Sequence, residues 1–277
     1  MLIVRSLIYN ALFYLNLVVY LIAAIPTYWM PYRCIVEVAK AWGRTSTWLL
    51  RVICGTRIEI IGLEKIPWGP LLVASKHQST WETFGIISLF ADPTFILKRE
   101  LLWLPLFGWL AKKGRMIPVD RGARAQALAA IARDAKVHLA MGRQIIIFPE
   151  GTRRPAGAEP SYKFGVVHLY AESGVPCLPI ALNSGQFWPR RSFLRYPGTI
   201  RVEILDPIPP GLDKENFANR LRNTIEEATA RLLAKGDQEL TARGLAVRSS
   251  RRGSRRPAAV PPGDEAHSRG NRAPRAP

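Results

Sequence analysis

From Arg57 onward the chain alternates short runs rich in β-branched residues with longer stretches of helical length, and this alternation constrains the fold more than any other feature. It predicts strands at 57–62, 71–75, 94–98, 116–119, 144–148, 177–182 and 199–205. Helices are expected at 81–90, 101–113, 124–141, 164–173 and 214–234. Strands separated by helices pair in parallel through crossovers, and the helices then cover the sheet. The expectation is an α/β fold: a mainly parallel mixed sheet of about seven strands flanked by helices. Gly142 and Gly174 stand where two of these helices would end, because glycine accepts the left-handed conformation of a C-cap.

Two segments precede this region. Residues 2–25 are interrupted only by Arg5, Ser6, Asn10 and Asn16, and Pro26 ends the run. As a helix, that length crosses a hydrocarbon core of about 30 Å. The length of the run and the lack of a clear small-x-small cleavage site argue against a secretory signal. In residues 32–54, Arg33, Lys40, Arg44 and Arg51 share a sector of about 40° at about 100° per residue. Ile35, Val38, Ala39, Trp42, Leu49, Leu50 and Ile53 lie opposite. Such a pair of stripes suits a helix lying on an anionic leaflet; it also suits a helix packed on the domain core. The chain is therefore read as a membrane-associated helix pair over 1–54, a folded domain over 55–240 and a tail over 244–277. Arg, Ser, Pro, Gly and Ala dominate the tail, and disorder is expected there. The cations after the first segment place the domain on the cytoplasmic side.

The formal charge is +18. Residues 248–277 hold eight Arg against Asp264 and Glu265, a net of +6, and the remaining +12 belongs to the body. Such a surface attracts nucleic acid, acidic headgroups, phosphorylated metabolites or an acidic carrier protein. Cys34, Cys54 and Cys177 are odd in number and lack CxxC spacing, so with four scattered histidines they suggest neither a disulfide framework nor a zinc site.

Chemistry is concentrated in loops that follow expected strands. His77 lies just past the apolar run 71–75, and Glu82 follows five positions later. On one helix the two would stand about 140° apart. They can meet if His77 stays in the loop and Glu82 opens the next helix, where a histidine beside a carboxylate can remove a hydroxyl proton. Ser79-Thr80-Trp81-Glu82 is also a capping box, and Glu82 could serve both purposes. After the run 144–147 comes Phe148-Pro149-Glu150-Gly151-Thr152-Arg153, where Gly151 permits close approach and Arg153 offers a fork for phosphate. Lys98-Arg99-Glu100 and Asp120-Arg121 place further cations at strand ends.

These segments together resemble the glycerolipid acyltransferases, in particular the bacterial 1-acyl-sn-glycerol-3-phosphate acyltransferases. That family carries four ordered blocks. H-x4-D corresponds to His77 through Glu82; a block ending in Asp-Arg matches Asp120-Arg121; F-P-E-G-T-R is unaltered at 148–153; and V-P-x-x-P is met at Val175-Pro176-Cys177-Leu178-Pro179. Residues 98–105 are similar to the lysine-bearing segment of bacterial members. The likeness spans about residues 2–234. One departure stands out: Glu82 occupies the place of the family's usual Asp, one methylene longer.

The resemblance implies acyl transfer to the sn-2 hydroxyl of 1-acyl-glycerol-3-phosphate, making phosphatidic acid. His77 would be the general base and Glu82 its orienting carboxylate. Lys98, Arg121 and Arg153 would hold the phosphate, with Glu150, Gly151 and Thr152 shaping that pocket and 175–179 either on the acyl-chain side or serving only as a rigid strand entry. It implies acyl-CoA or acyl carrier protein as donor, no cofactor or metal, no specific nucleic acid, and a place on the cytoplasmic side of the cell inner membrane. The alternatives are another lyso-lipid acceptor, such as a lysophospholipid or lyso-ornithine lipid, and a membrane-tethered binding protein without activity.

Overall fold

The structure, a computed structural model, describes residues 1–119 and 124–247. Its strands are β1 (Thr56–Ile61), β2 (Leu71–Ser75), β3 (Pro93–Lys98), β4 (Ile117–Val119), β5 (Gln144–Ile147), β6 (Cys177–Leu182) and β7 (Gly198–Ile204). Its helices are α1 (Leu2–Ala23), α2 (Tyr32–Leu49), α3 (Glu82–Gly85), α4 (Phe107–Lys113), α5 (Arg124–Ala140), α6 (Phe164–Ser173), α7 (Ser184–Phe187) and α8 (Lys214–Ala242). The strands form one sheet in the order β1-β7-β6-β2-β5-β3-β4, with every neighbouring pair parallel except β6 and β7. The expected mainly parallel, seven-stranded α/β sheet is the one found.

Strand chemistry follows position. Every residue of the central strands β2 and β6 is buried, so they read as unbroken apolar runs rather than alternating ones. Leu71 and Val73 face one core, with Phe84, Trp188 and Ile200. Leu72 and Ala74 face another, with Ile131, Leu169 and Phe217. Helix α8 feeds the second core through Phe217, Leu221, Ile225, Ala228 and Leu232, one stripe at three- and four-residue spacing.

The N-terminal helices form the expected pair, and they share the domain's own core. Tyr9 and Phe13 of α1 meet the Trp188 ring edge-on at 5.5 Å each. Much of the rest of α1 is apolar and exposed, including Leu7, Leu15, Val18 and Ile22. The segment Leu2–Trp29 is long and apolar enough to cross a membrane. On α2 the expected basic stripe is broken: Arg33, Arg44 and Arg51 are exposed, but Lys40 is buried. Its Nζ donates to the Ala91 carbonyl and the Glu37 carboxylate, both at 2.7 Å. Gly43 allows this docking, since a Cβ there would fall 2.4 Å from the Phe84 carbonyl oxygen.

Three expected helices differ. In place of 81–90 there is the short α3 and a 3-10 turn, Ile87–Leu89. Trp81, Phe84, Ile86, Ile87 and Phe90 are all buried, so packing rather than helical period sets this path. In place of 101–113 a 3-10 turn, Arg99–Trp103, precedes α4, because Pro105 holds Leu104 in an extended conformation. Finally, α8 runs past 234 to Ala242. Gly236 lies in its interior because the Gln186 side chain occupies the space a Cβ would need. The short α7 was not anticipated.

Candidate active site

Parallel β2, β3, β4, β5 and β6 send their carboxyl ends to one edge of the sheet. The loop bearing His77, the segment 148–153, Lys98 and the turn into α7 therefore gather there. Arg121, and the tail from 248 onward, lie outside the described residues.

The His77 ring stacks on Phe148, with centroids 3.9 Å apart and planes 14° from parallel, and its Nδ1 faces Glu82 Oε2 at 3.9 Å. Glu82 is fully buried. Its carboxylate accepts from the Gln78 and Ser79 amides and the Ser79 hydroxyl, all at 3.0 Å, and from the Ser184 hydroxyl. The Trp81 amide donates to Ser79 Oγ at 2.9 Å, leaving the Ser79 hydrogen for Glu82. Capping box and histidine partner thus coexist in one residue. Burial pushes the Glu82 carboxyl above the usual range, while Ser184 and the amides pull it back toward the carboxylate. Several converging donors suit an ionised acceptor.

Glu150 lines the cavity and also braces the histidine from behind. Its Oε2 accepts from the His77 amide at 3.3 Å and its Oε1 from Lys76 Nζ at 3.0 Å. Lys76, also buried, reaches Glu226 of α8 at 2.7 Å, and the Tyr162 hydroxyl donates to Glu226 at 2.9 Å. Burial raises the Glu150 carboxyl and Lys76 lowers it. The Arg154 amide donates to the His77 carbonyl at 2.8 Å, so the histidine backbone is gripped on both sides. Gly151 sits at φ +66°, which glycine adopts without strain and which turns the chain beside Lys163.

A cavity of about 1100 Å³ opens beside His77. Lys98, Glu150, Gly151, Thr152 and Lys163 are among its polar lining, and most of the rest is apolar, from α1, α2, α4, α5 and α6 among other elements. Lys98 is exposed and paired with Glu100 at 2.9 Å. Arg153 is held by the Thr80 hydroxyl. Residues 175–179 do not line the cavity; they lead into β6 at the buried centre of the sheet, where a strand entry needs apolar residues.

A family model described as Acyltransferase matches residues 57–183. Over 185 residues the chain is 43% identical to the 1-acyl-sn-glycerol-3-phosphate acyltransferase of Pseudomonas aeruginosa, an alignment covering 67% of this chain and 71% of that one. The chain belongs to the 1-acyl-sn-glycerol-3-phosphate acyltransferase family. It is also 30% identical over 183 residues to the human 1-acyl-sn-glycerol-3-phosphate acyltransferase alpha, covering 64% of this chain and 65% of that one. The crystal structure of the 1-acyl-sn-glycerophosphate acyltransferase PlsC from Thermotoga maritima superposes with a TM-score of 0.71 at 22% identity, covering 84% of this chain and 98% of that one, which shows the shared fold.

Four residues of this acyltransferase's site escaped the sequence reading. Lys76 carried a signal, a lone cation ending an apolar strand directly before His77. Lys163 carried none, and Ser184 and Glu226 reach the site only through topology. Ser184 follows β6, which pairs in parallel with β2, so it arrives beside the loop that follows β2.

Proposed function

We propose that the enzyme transfers an acyl group from a thioester donor, acyl-CoA or acyl carrier protein, to the sn-2 hydroxyl of 1-acyl-glycerol-3-phosphate, forming phosphatidic acid. His77 takes the hydroxyl proton as the oxygen attacks the thioester carbonyl, and the thiolate leaves with a proton returned by the imidazolium. Glu82 orients the ring through Nδ1 and offsets its positive charge. The observation that carries this reading is His77, faced by the buried Glu82, on the wall of a largely apolar cavity of about 1100 Å³ that Lys98 and Lys163 also line. The apolar lining suits a fatty chain and the lysines suit a phosphate. Exposed apolar α1 supports attachment to the cell inner membrane, with the domain on the cytoplasmic side where soluble donors circulate.

The test is turnover by purified protein against a panel of lyso-acceptors with acyl-CoA and acyl carrier protein as donors. Phosphatidic acid should form from lysophosphatidate and vanish in His77→Ala. Preference for a lyso-acceptor without a phosphomonoester, or equal turnover by wild type and His77→Ala, would overturn the proposal.

A further inference from the structure

The segment between β3 and α4 exposes Trp103 by 75%, Leu104 by 50% and Leu106 by 41%. Three adjacent large apolar side chains facing solvent mark a contact surface rather than scattered exposure. The segment is also held firmly. Gly108 lets the Leu102 backbone lie directly against α4, where a Cβ would fall 1.9 Å from the Leu102 carbonyl oxygen. Leu106 is kept at φ +59°, a conformation seldom adopted by a residue with a side chain.

Its neighbour is the turn joining α1 and α2. Trp109 of α4 stacks on Tyr28 at 4.6 Å, and Leu110 packs with Ala24 and Ile35. Trp29, next to Tyr28, is 78% exposed. The apolar surface of α1 thus continues through Tyr28 and Trp29 onto the Trp103 segment. Lys112 and Lys113 end α4 behind it, with Lys113 Nζ 5.6 Å from the centre of the Tyr28 ring. Tryptophans ahead of lysines suit the boundary between acyl chains and anionic headgroups. Residues at both exposed elements line the cavity: Leu21 and Ala24 at the end of α1, and Leu101 and Phe107 around the Trp103 segment.

We propose that residues 101–106 form a second lipid-inserting element, entering the same leaflet as the α1–α2 turn, and that the gap between them is the portal through which a bilayer-resident acceptor reaches the cavity. The occupant is the leaflet itself, because the surface continues that of a helix with membrane-spanning length and composition. The portal rests on the lipid-acceptor reading above; the insertion does not.

The test uses the full chain with Cys34→Ser and Leu104→Cys, labelled with an environment-sensitive fluorophore and added to vesicles of phosphatidylcholine and phosphatidylglycerol. Brominated acyl chains should quench the label, and should leave a label on Glu215→Cys, at the start of α8, unquenched. An unquenched label at position 104 overturns insertion whether or not the protein turns over lysophosphatidate. For the portal, Trp103→Ser combined with Leu104→Ser should raise KM on the order of tenfold for a long-chain acceptor in vesicles. Turnover of a dispersed short-chain acceptor should match wild type, and equal losses on both acceptors would overturn the portal.

Discussion

Ser184 donates its hydroxyl hydrogen to the Glu82 carboxylate from a position 102 residues further along the chain. It stands one residue beyond the part of the chain that the family model matches, yet it touches the carboxylate that faces His77. The longer arm of Glu82, relative to the family's usual Asp, ends in a cage made by Gln78, Ser79 and Ser184.

Removing that hydroxyl should show first in the pH profile. Burial favours the protonated Glu82 and the Ser184 hydrogen bond opposes it, so Ser184→Ala raises the Glu82 pKa further. The carboxylate is then lost earlier as pH falls, and the acidic limb of kcat/KM should move to higher pH. A hydrogen bond to a charged group is worth about 1.5–3 kcal/mol, so kcat/KM near neutrality should fall roughly ten- to hundredfold. An unshifted limb would argue against this role.

Shortening the carboxylate tests the same cage from the other side. Glu82→Asp should keep measurable turnover, whereas Glu82→Gln, which cannot carry the charge, should lose about 10²–10⁴ in kcat. In the Glu82→Asp background, Ser184→Ala should have little added effect, since the retracted carboxylate no longer reaches that hydroxyl. Additive losses in this double-mutant cycle would show the two residues to act separately.

Lys76 should prove to be a stability determinant. Lys76→Met strands the buried Glu150 carboxylate, at a cost of about 3–5 kcal/mol, measurable as a lower urea midpoint. Without the lysine, the folded pKa of Glu150 rises further above its unfolded value, so the folded state binds the proton more tightly. The penalty is therefore full above the folded pKa and relieved as pH falls toward the unfolded value of about 4.3. A penalty that grows on acidification would contradict this account.

Lys163 lines the same cavity as His77 and heads the helix after the 148–153 loop. Lys163→Ala should raise KM for lysophosphatidate about tenfold with kcat little changed, as expected for lost headgroup binding. A fall in kcat at constant KM would instead place Lys163 in the chemical step.

Much of the fold was legible because strand and helix lengths alternate without ambiguity, and because fully buried parallel strands must be apolar throughout. The helices departed from expectation where a local pattern met a stronger constraint: Pro105 broke one, the mostly buried apolar residues of 81–90 packed as short turns, and α8 continued past 234 through Gly236, which makes room for Gln186. The His77–Glu82 pairing was legible from spacing plus the capping box. Ser184 and Glu226 were not, because nothing local marks a residue that arrives through strand pairing or from a helix on the far side of the sheet. Glu150, read as part of the pocket, lines the cavity and also braces the histidine backbone, a contact no local pattern announces.

The exposed apolar helix α1 is also a structural wall of the domain, since Tyr9 and Phe13 cap the same core that Val73 and Ile200 build from the sheet. A truncation starting near residue 55, the usual way to obtain a water-soluble fragment, would uncover Phe84 and Trp188 and open one side of the substrate cavity. Solubility and integrity are thus opposed in this chain. The apolar surface of α1 has to be covered by detergent or lipid rather than cut away, because the same helix closes the core.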